Sequence, residues 1–532
     1  MARVVTRVTG SAQEVGRWMQ PRRDLVHERI VQQAASVEGT TPATAVFEAV
    51  HGPFRCYRRT ARCEADADGG GTAVVSITDF RLAVPYFAWL VTLPTRRALR
   101  RLGEDDRQPW WAPPQRLGAR EASVLGVLAA ASVVTGYLGT LLTQTVTFAA
   151  EEFGAGGSRA QSVVLAAVRL GVLLALALVA AADRLGRRPV LLVCAAGGCL
   201  AAAAGAVAPT LAWLGASQLV ARGFVTALAV LVTIVAAEEM PRGARAYAVS
   251  VLGMAGGLGA GLCLQALPLA DLGLRGWRLV YLLALAGLPL VRSIARHLAE
   301  SRRFVVAHAT VALAGHGRRL ALLAASAFLL AVFTAPASQL QNEFLRGERG
   351  FSASRIALFA LLTNAPAGVG VVAGGRLADL RGRRVVGAVG LAGGVAATVA
   401  VYASTGWPQW AWSVVGAVVG GATLPALGVY GPELFPTSLR GRANGLVALL
   451  GVTGSVTGLL GAGVLAERLG GLGPALGLLA LGPAVLVVLV LVAYPETAQR
   501  ELEELNPEDR PSSGAAPEPT SPPPLPPGHR LP

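Results

Sequence analysis

Hydrophobic residues in this chain fall in long unbroken blocks rather than in stripes. Twelve blocks occupy residues 122–149, 161–182, 189–208, 211–237, 247–268, 276–295, 319–340, 356–378, 385–404, 408–430, 443–466 and 473–494. An apolar run of about 18 or more residues with few charges can cross a bilayer as a helix. The pattern predicts an all-α membrane protein with twelve transmembrane helices. Residues 1–105 read differently, as a small cytoplasmic α+β domain. Ala2–Thr9 alternates like a strand, Ser11-x-x-Glu14 has the spacing of a capping box that opens a short helix, and strand-like runs in Thr44–Ile77 flank a turn at Asp66–Gly71. Residues 106–121 link this domain to a six-helix bundle at 122–295. A central cytoplasmic loop at 296–318 leads to a second bundle at 319–494, and the Pro-rich tail 495–532 has too little apolar content to pack, so disorder is expected there.

Tyr86–Arg101 is apolar and aromatic, and it ends in Arg96, Arg97, Arg100 and Arg101. It reads equally as the last helix of the small domain or as a segment lying in the membrane interface with its arginines on anionic headgroups.

Composition narrows the class. The 532 residues are 53% apolar and 15% charged, against about 25% charged in soluble domains. The net charge of +15 is carried by arginine alone, for the chain has no lysine. That excludes a Lys-containing phosphate loop and hence an ATP-driven pump, and it argues against lysine-rich nucleic-acid tails. Only 6% of residues are aromatic, a poor platform for stacking on single strands, so no nucleic-acid partner is expected.

The arginines cluster in alternate loops. One set of loops holds Arg184, Arg187, Arg188, Arg242, Arg245, Arg302, Arg303, Arg318, Arg319, Arg381, Arg383, Arg384, Arg440 and Arg442; the other holds Arg159, Arg275, Arg346, Arg349, Arg355 and Arg468. The positive-inside rule then places both termini in the cytoplasm. Met1–Gln20 has no apolar run behind its charges, so no secretory signal is read there. Cys56, Cys63, Cys194, Cys199 and Cys263 show no C-x-x-C spacing and read as reduced thiols, while His27 and His51 stand alone. No metal, cofactor or catalytic constellation is expected.

Three charged motifs recur. Asp183-Arg184-Leu185-Gly186-Arg187-Arg188 and Asp379-Leu380-Arg381-Gly382-Arg383-Arg384 lie 196 residues apart. Glu238-x-x-Pro241-x-x-x-Arg245 matches Glu433-x-x-Pro436-x-x-x-Arg440 at 195, and Glu300 pairs with Glu496 at 196. Three coincident offsets define two six-helix pseudo-repeats in parallel. One cluster alone is as well explained as a charge that stops translocation. The repeated order of carboxylate, glycine and paired arginines instead suggests a lattice, with the aspartates facing the next helix's N-terminal dipole and the arginines reaching glutamates on neighbouring helices. Asp183, Arg187, Arg188, Glu238, Arg245, Glu300, Asp379, Arg383, Arg384, Glu433, Arg440 and Glu496 are the expected cytoplasmic gate.

These motifs resemble the major facilitator superfamily, in its branch of sugar porters and organic-ion transporters. The family's G-x-x-x-D-R-x-G-R-R loop is met by Gly375–Arg384 and by Asp183–Arg188, with Val179 where the first Gly would stand. Its E-x-x-P-x-x-x-R-G is met by Glu433, Pro436, Arg440 and Gly441, and its P-E-T by Pro495, Glu496 and Thr497; Gly136-Tyr137 and Arg222-Gly223 also fall at family positions. The resemblance implies alternating-access transport of a small organic solute. Proton-coupled sugar porters carry Asp where this chain has Leu138, which argues against coupling through a first-helix carboxylate. The β-α-β order of residues 1–105, with Val84-Pro85-Tyr86-Phe87 leading into a final helix, resembles helix-grip domains of the polyketide-cyclase, START-like type.

Ionisable and amide groups inside spans are costly and mark solute pathways or helix-to-helix bonds. Arg169 and Arg222 either snorkel or favour a polar or anionic solute, and Gln144, Gln339, Gln341, Asn342 and Asn364 complete the expected binding set. Gln339–Asn342 sits where sugar porters carry a glutamine-rich motif. Gly253, Gly257 and Gly261, and likewise Gly454 and Gly458, read as close-packing ladders.

The leading expectation is a secondary or facilitative transporter in the plasma membrane of a bacterium, whose partners are the lipid bilayer and the solute. The bacterial source is read from the Ala, Gly, Val and Arg bias. A membrane sensor signalling through residues 1–105, and an exporter whose N-terminal domain binds a lipid or polyketide-like ligand, stay open as alternatives.

Overall fold

A computed structural model describes residues 1–9, 12–34, 44–65, 72–101, 109, 111–113, 115–155, 157–241, 244–298, 300, 316–428, 430, 434–435 and 440–496. The Asp66–Gly71 turn, Glu433 and the tail from Thr497 lie outside them.

The N-terminal domain is an antiparallel sheet of five strands, β1 (Ala2–Thr9), β2 (His27–Ala34), β3 (Thr44–His51), β4 (Phe54–Ala65) and β5 (Thr72–Leu82), in the order β1-β5-β4-β3-β2. Helix α1 (Ala12–Trp18) follows β1, and α2 (Ala88–Leu99) follows β5. Strand β2 has no apolar alternation to announce it, because its inward residue is charged. Glu28 is 3% exposed and accepts from Arg59 Nη2 at 2.6 Å and from Tyr57 Oη at 2.5 Å, while Arg59 also donates to the carbonyls of Trp18 and Gln20. Burial and the Glu28 carboxylate hold the Tyr57 phenol well above its ordinary value. Removing one member of such a buried pair costs roughly 3–5 kcal/mol, because the other charge stays buried.

Among the described residues, twelve helices are long and apolar enough to span a membrane: Ala119–Glu152, Ser158–Ala182, Arg187–Val207, Leu211–Ala236, Tyr247–Leu272, Trp277–His297, Gly317–Gln339, Ala353–Val371, Arg383–Ala403, Trp407–Leu427, Gly445–Leu469 and Leu472–Ala493. The chain is a multi-pass membrane protein. The first and fifth spans cross so closely that a Cβ on Gly136 or Gly259 would overlap the backbone of the other helix. This seam departs from the expected one: at Gly253, Gly257 and Gly261 nothing lies within 4 Å of a built Cβ, so the ladder borders open space. Its residues fall a third of a turn away from the face that meets the first span. Gly454 does pack, for a Cβ added there would stand 2.5 Å from the Phe328 carbonyl oxygen.

Two compact bodies result. The first comprises Met1–His308, Ala335–Leu362 and Val456–Leu476; the second comprises Ala309–Thr334, Thr363–Ser455 and Gly477–Pro532. Within the first, the N-terminal domain is fastened to the membrane helices by the turn before α2. Tyr86, at φ 63°, donates or accepts a 2.7 Å bond between its hydroxyl and that of Ser293, and its ring meets His297 edge-on. Among the described residues it is the one non-glycine in the left-handed region, a conformation that costs about 1–3 kcal/mol and persists only where surroundings enforce it. Pro85 fills the space beside Gly126 of the first span.

Candidate functional site

The duplicated loops build two matching corners. Gly186 and Gly382 adopt φ of 101° and 96°, which lets the chain reverse between one span and the next. The third span starts at Arg187, and its unsatisfied N–H groups point at Glu300: Arg187 N donates at 2.9 Å and Arg188 N at 3.2 Å. The ninth span starts at Arg383 and meets Glu496 in the same way, at 2.9 Å from Arg383 N and 3.2 Å from Arg384 N. A Cβ on either glycine would stand 2.8 Å or 2.7 Å from the glutamate oxygen, so a side chain there would push the capping carboxylate aside as well as strain φ.

The corners add a contact to the expected lattice. Glutamates Glu300 and Glu496 face the helix dipoles and meet backbone N–H groups, while the side chains of Asp183 and Asp379 lie outside the described set. The arginine side chains turn to helix ends: Arg188 donates to the carbonyls of Leu298 (2.7 Å) and Ala295 (2.8 Å), and Arg187 to that of Ala182 (2.9 Å). Arg187 reaches Glu238 only at 3.5 Å. Asp183, Arg245, Asp379 and Arg440 are placed by their helical backbones alone.

Inside the first body, Arg169 ends one helical segment of the second span, which breaks at Leu170 and resumes at Gly171. A Cβ on Gly171 would stand 3.1 Å from Arg222 Cβ of the fourth span, so the two helices touch beside Arg169. Arg222 Nη1 also donates to the Gly139 carbonyl at 3.4 Å. Gln144 and Asn342 are brought together: the Asn342 amide donates to Gln144 Oε1 at 2.9 Å and to its carbonyl at 3.0 Å. Gln339 and Gln341 are half-buried nearby in sequence, whereas Asn364 is exposed and belongs to the second body.

Sequence reasoning passed over a further cluster on the side away from the arginine-rich loops. There the tips of the seventh, eighth and eleventh spans join the first body. Arg346 pairs with Glu151 at 2.7 Å and stacks over Phe148, Arg159 pairs with Glu467 at 3.1 Å, and Asp271 accepts from the backbone of Ala353 and Ser354 at 2.9 Å. Glu343 accepts from Gln161 Nε2 at 2.5 Å, and Gln161 accepts from Thr147 at 3.0 Å. Burial raises the Glu343 carboxyl above its ordinary value, against the Gln161 bond and with help from Glu348 and Glu151. The available signal was a balance of charge: three of the six arginines assigned to these loops have a carboxylate partner here.

Residues 320–525 match the family model of the Major Facilitator Superfamily. No curated protein sequence matches the chain. Among solved structures, the helical region is similar to the xylose transporter of E. coli in an inward-open conformation, with TM-score 0.60 and 16% identity over 72% of this chain and 99% of that one. It is similar also to a bacterial homologue of the human lysosomal transporter Spinster, inward-facing and unoccupied, with TM-score 0.59 and 14% identity over 74% and 99%. A nucleoside transporter aligns with TM-score 0.59 and 12% identity over 70% and 100%.

Proposed function

We infer that this chain is a Major Facilitator Superfamily transporter, a reading supported by the family-model match over residues 320–525, and that it carries a small polar or anionic solute across the membrane by alternating access, without chemistry on the solute. The observation that carries this reading is the unequal bonding of its two sides. The arginine-rich corners are bonded within each repeat, whereas the opposite side joins span tips of both repeats through side chains that can part. The similar xylose transporter and Spinster homologue were captured inward-open and inward-facing, a state that requires such a closed opposite side. We place both termini and the arginine-rich loops in the cytoplasm of a bacterial cell by the positive-inside rule.

Arg169 and Arg222 are the proposed anchors for the solute, since guanidinium groups carried where the second and fourth spans touch suit a carboxylate or a strongly accepting group. Gln339, Gln341 and Asn364 stay in the proposed set on their residue types, and Gln144 with Asn342 as a pair that separates when the tips part. With Leu138 at the first-span position, movement proceeds without a proton relay at that point.

Counterflow of labelled solutes in proteoliposomes tests the reading. A solute that exchanges robustly in the native chain should lose at least about tenfold in Arg169→Gln and Arg222→Gln if it is anionic. Binding without counterflow across a metabolite panel would instead favour a sensor, and equal exchange by both variants would remove the arginines from the site. Uptake that collapses when only the pH gradient is dissipated would sink the uncoupled reading.

A further inference from the structure

A cavity of about 410 Å³ lies between the N-terminal domain and the membrane helices, walled by α2, the segment 111–117 and the first and fifth spans. Its size falls within the roughly 300–1,000 Å³ of small-ligand sites. The first span lends it Ala122, Leu125, Gly126 and Ala129, one helical face. The fifth lends Tyr247, Val251, Ala255 and Leu258, again one face. Two parallel apolar stripes make a slot along the helix axes. From Tyr247 to Leu258 the slot runs about 16 Å, close to the roughly 15 Å depth of one leaflet's hydrocarbon.

The mouth is of opposite character. Arg116 is the one charged residue lining the cavity among the described residues, and α2 presents Trp89, Leu90 and Leu93 on one exposed face, followed along that face by Arg96, Arg97 and Arg100. Trp89 is 74% exposed, although α2 buries Thr95 and Leu99 in its own domain. A helix whose exposed face passes from large apolar groups to cations matches a bilayer surface, with apolar groups at acyl depth and arginines at phosphate depth.

We propose that this slot binds one acyl chain of an anionic glycerophospholipid from the leaflet on the arginine-rich side, with the lipid phosphate held by the arginines of α2 and Arg116. The site would fasten the N-terminal domain to the bilayer as well as to the first and fifth spans. It is independent of which solute the helices carry.

The test uses the full chain in nanodiscs containing phosphatidylglycerol with a photoreactive diazirine at the end of one acyl chain. Label should concentrate at the deep end of the slot, on peptides holding Ala129 and Leu258. Unlabelled phosphatidylglycerol should compete it away, and phosphatidylcholine should do so about tenfold less well at low salt. Ala129→Trp fills the slot and should cut that label by about tenfold while labelling of other lipid-facing residues, such as Leu176 and Leu285, is unchanged, which also reports that the variant is folded. Replacing Arg96, Arg97 and Arg100 together with Gln, all at exposed positions, should abolish the preference for phosphatidylglycerol. Label spread evenly over the exposed helix faces, equal competition by phosphatidylcholine, or native labelling in Ala129→Trp would each overturn the proposal.

Discussion

The two ends of the membrane helices are held by bonds that are distributed differently. On the arginine-rich side, a carboxylate caps the first two N–H groups of a helix in each repeat, at the same 2.9 and 3.2 Å in both. On the other side the contacts are unrepeated and run between residues of the two repeats, as in Arg346 with Glu151, Asn342 with Gln144, and Asp271 with the N–H groups of Ala353 and Ser354. A bond that duplication copies without change belongs to the architecture of one repeat. A bond made between unlike residues of different repeats can be given up without unmaking either. On the proposed alternating-access reading, the duplicated motif is a corner that keeps each half rigid, and the unrepeated cluster is the part that breaks.

The largest expected effect follows from the corners. Gly382→Ala must carry a side chain at φ 96° and place its Cβ 2.7 Å from Glu496, so unfolding in detergent should be easier by roughly 2–4 kcal/mol. Gly406→Ala is the control, because φ there is 64° but nothing lies within 4 Å of a built Cβ. Equal losses at the two glycines would mean that the Glu496 contact contributes nothing.

Next is the opposite side. Arg346→Ala removes a partly exposed ion pair and the stacking over Phe148, and it should loosen the tips by about 1 kcal/mol. Hydrogen exchange should accelerate about fivefold in residues 340–352 and hardly change around the corner at Gly186. Acceleration at both ends alike would erase the proposed distinction.

A pH effect should be confined to the same side. Glu343 faces Gln161 and Thr147 as hydrogen-bond partners, with Glu348 and Glu151 as like charges and Arg346 drawn to Glu151. Its carboxyl is raised above the ordinary 4.5 in the closed cluster. A raised carboxyl favours the closed arrangement fully below that ordinary value, and the benefit is lost as pH rises through the raised one. Protection of residues 340–352, corrected for intrinsic exchange, should therefore fall with rising pH from about 4.5 upward in the native chain and stay flat in Glu343→Gln. A native profile as flat as that of the variant would show that Glu343 does not set the closure.

How much of this could be read from residues alone divides along the same line. The twelve spans and the repeat were legible because apolar length and a fixed offset of 195–196 residues are properties of the chain itself. That Glu300 and Glu496 belong with the glycine corners was legible too, but not that they bond to N–H groups, which depends on where the helix begins. Strand β2 was hidden because Glu28 points inward to Arg59. The Arg346, Glu343 and Glu467 cluster was hidden because its members come from distant loops with no common spacing.

The smallest effect sharpens the question of the glycine ladder. Gly257 borders open space, so Gly257→Ala should leave stability unchanged or raise it by up to about 1 kcal/mol through helix propensity. Gly259→Ala, two residues on, must drive a Cβ into Val133 of the first span and should be destabilising. If the open stripe is a surface that another helix meets only after the tips part, Gly257→Ala should slow counterflow while its unfolding is unaffected. If both counterflow and unfolding match the native chain, the stripe is a bystander, and the glycine seam that matters is the one at Gly136 and Gly259.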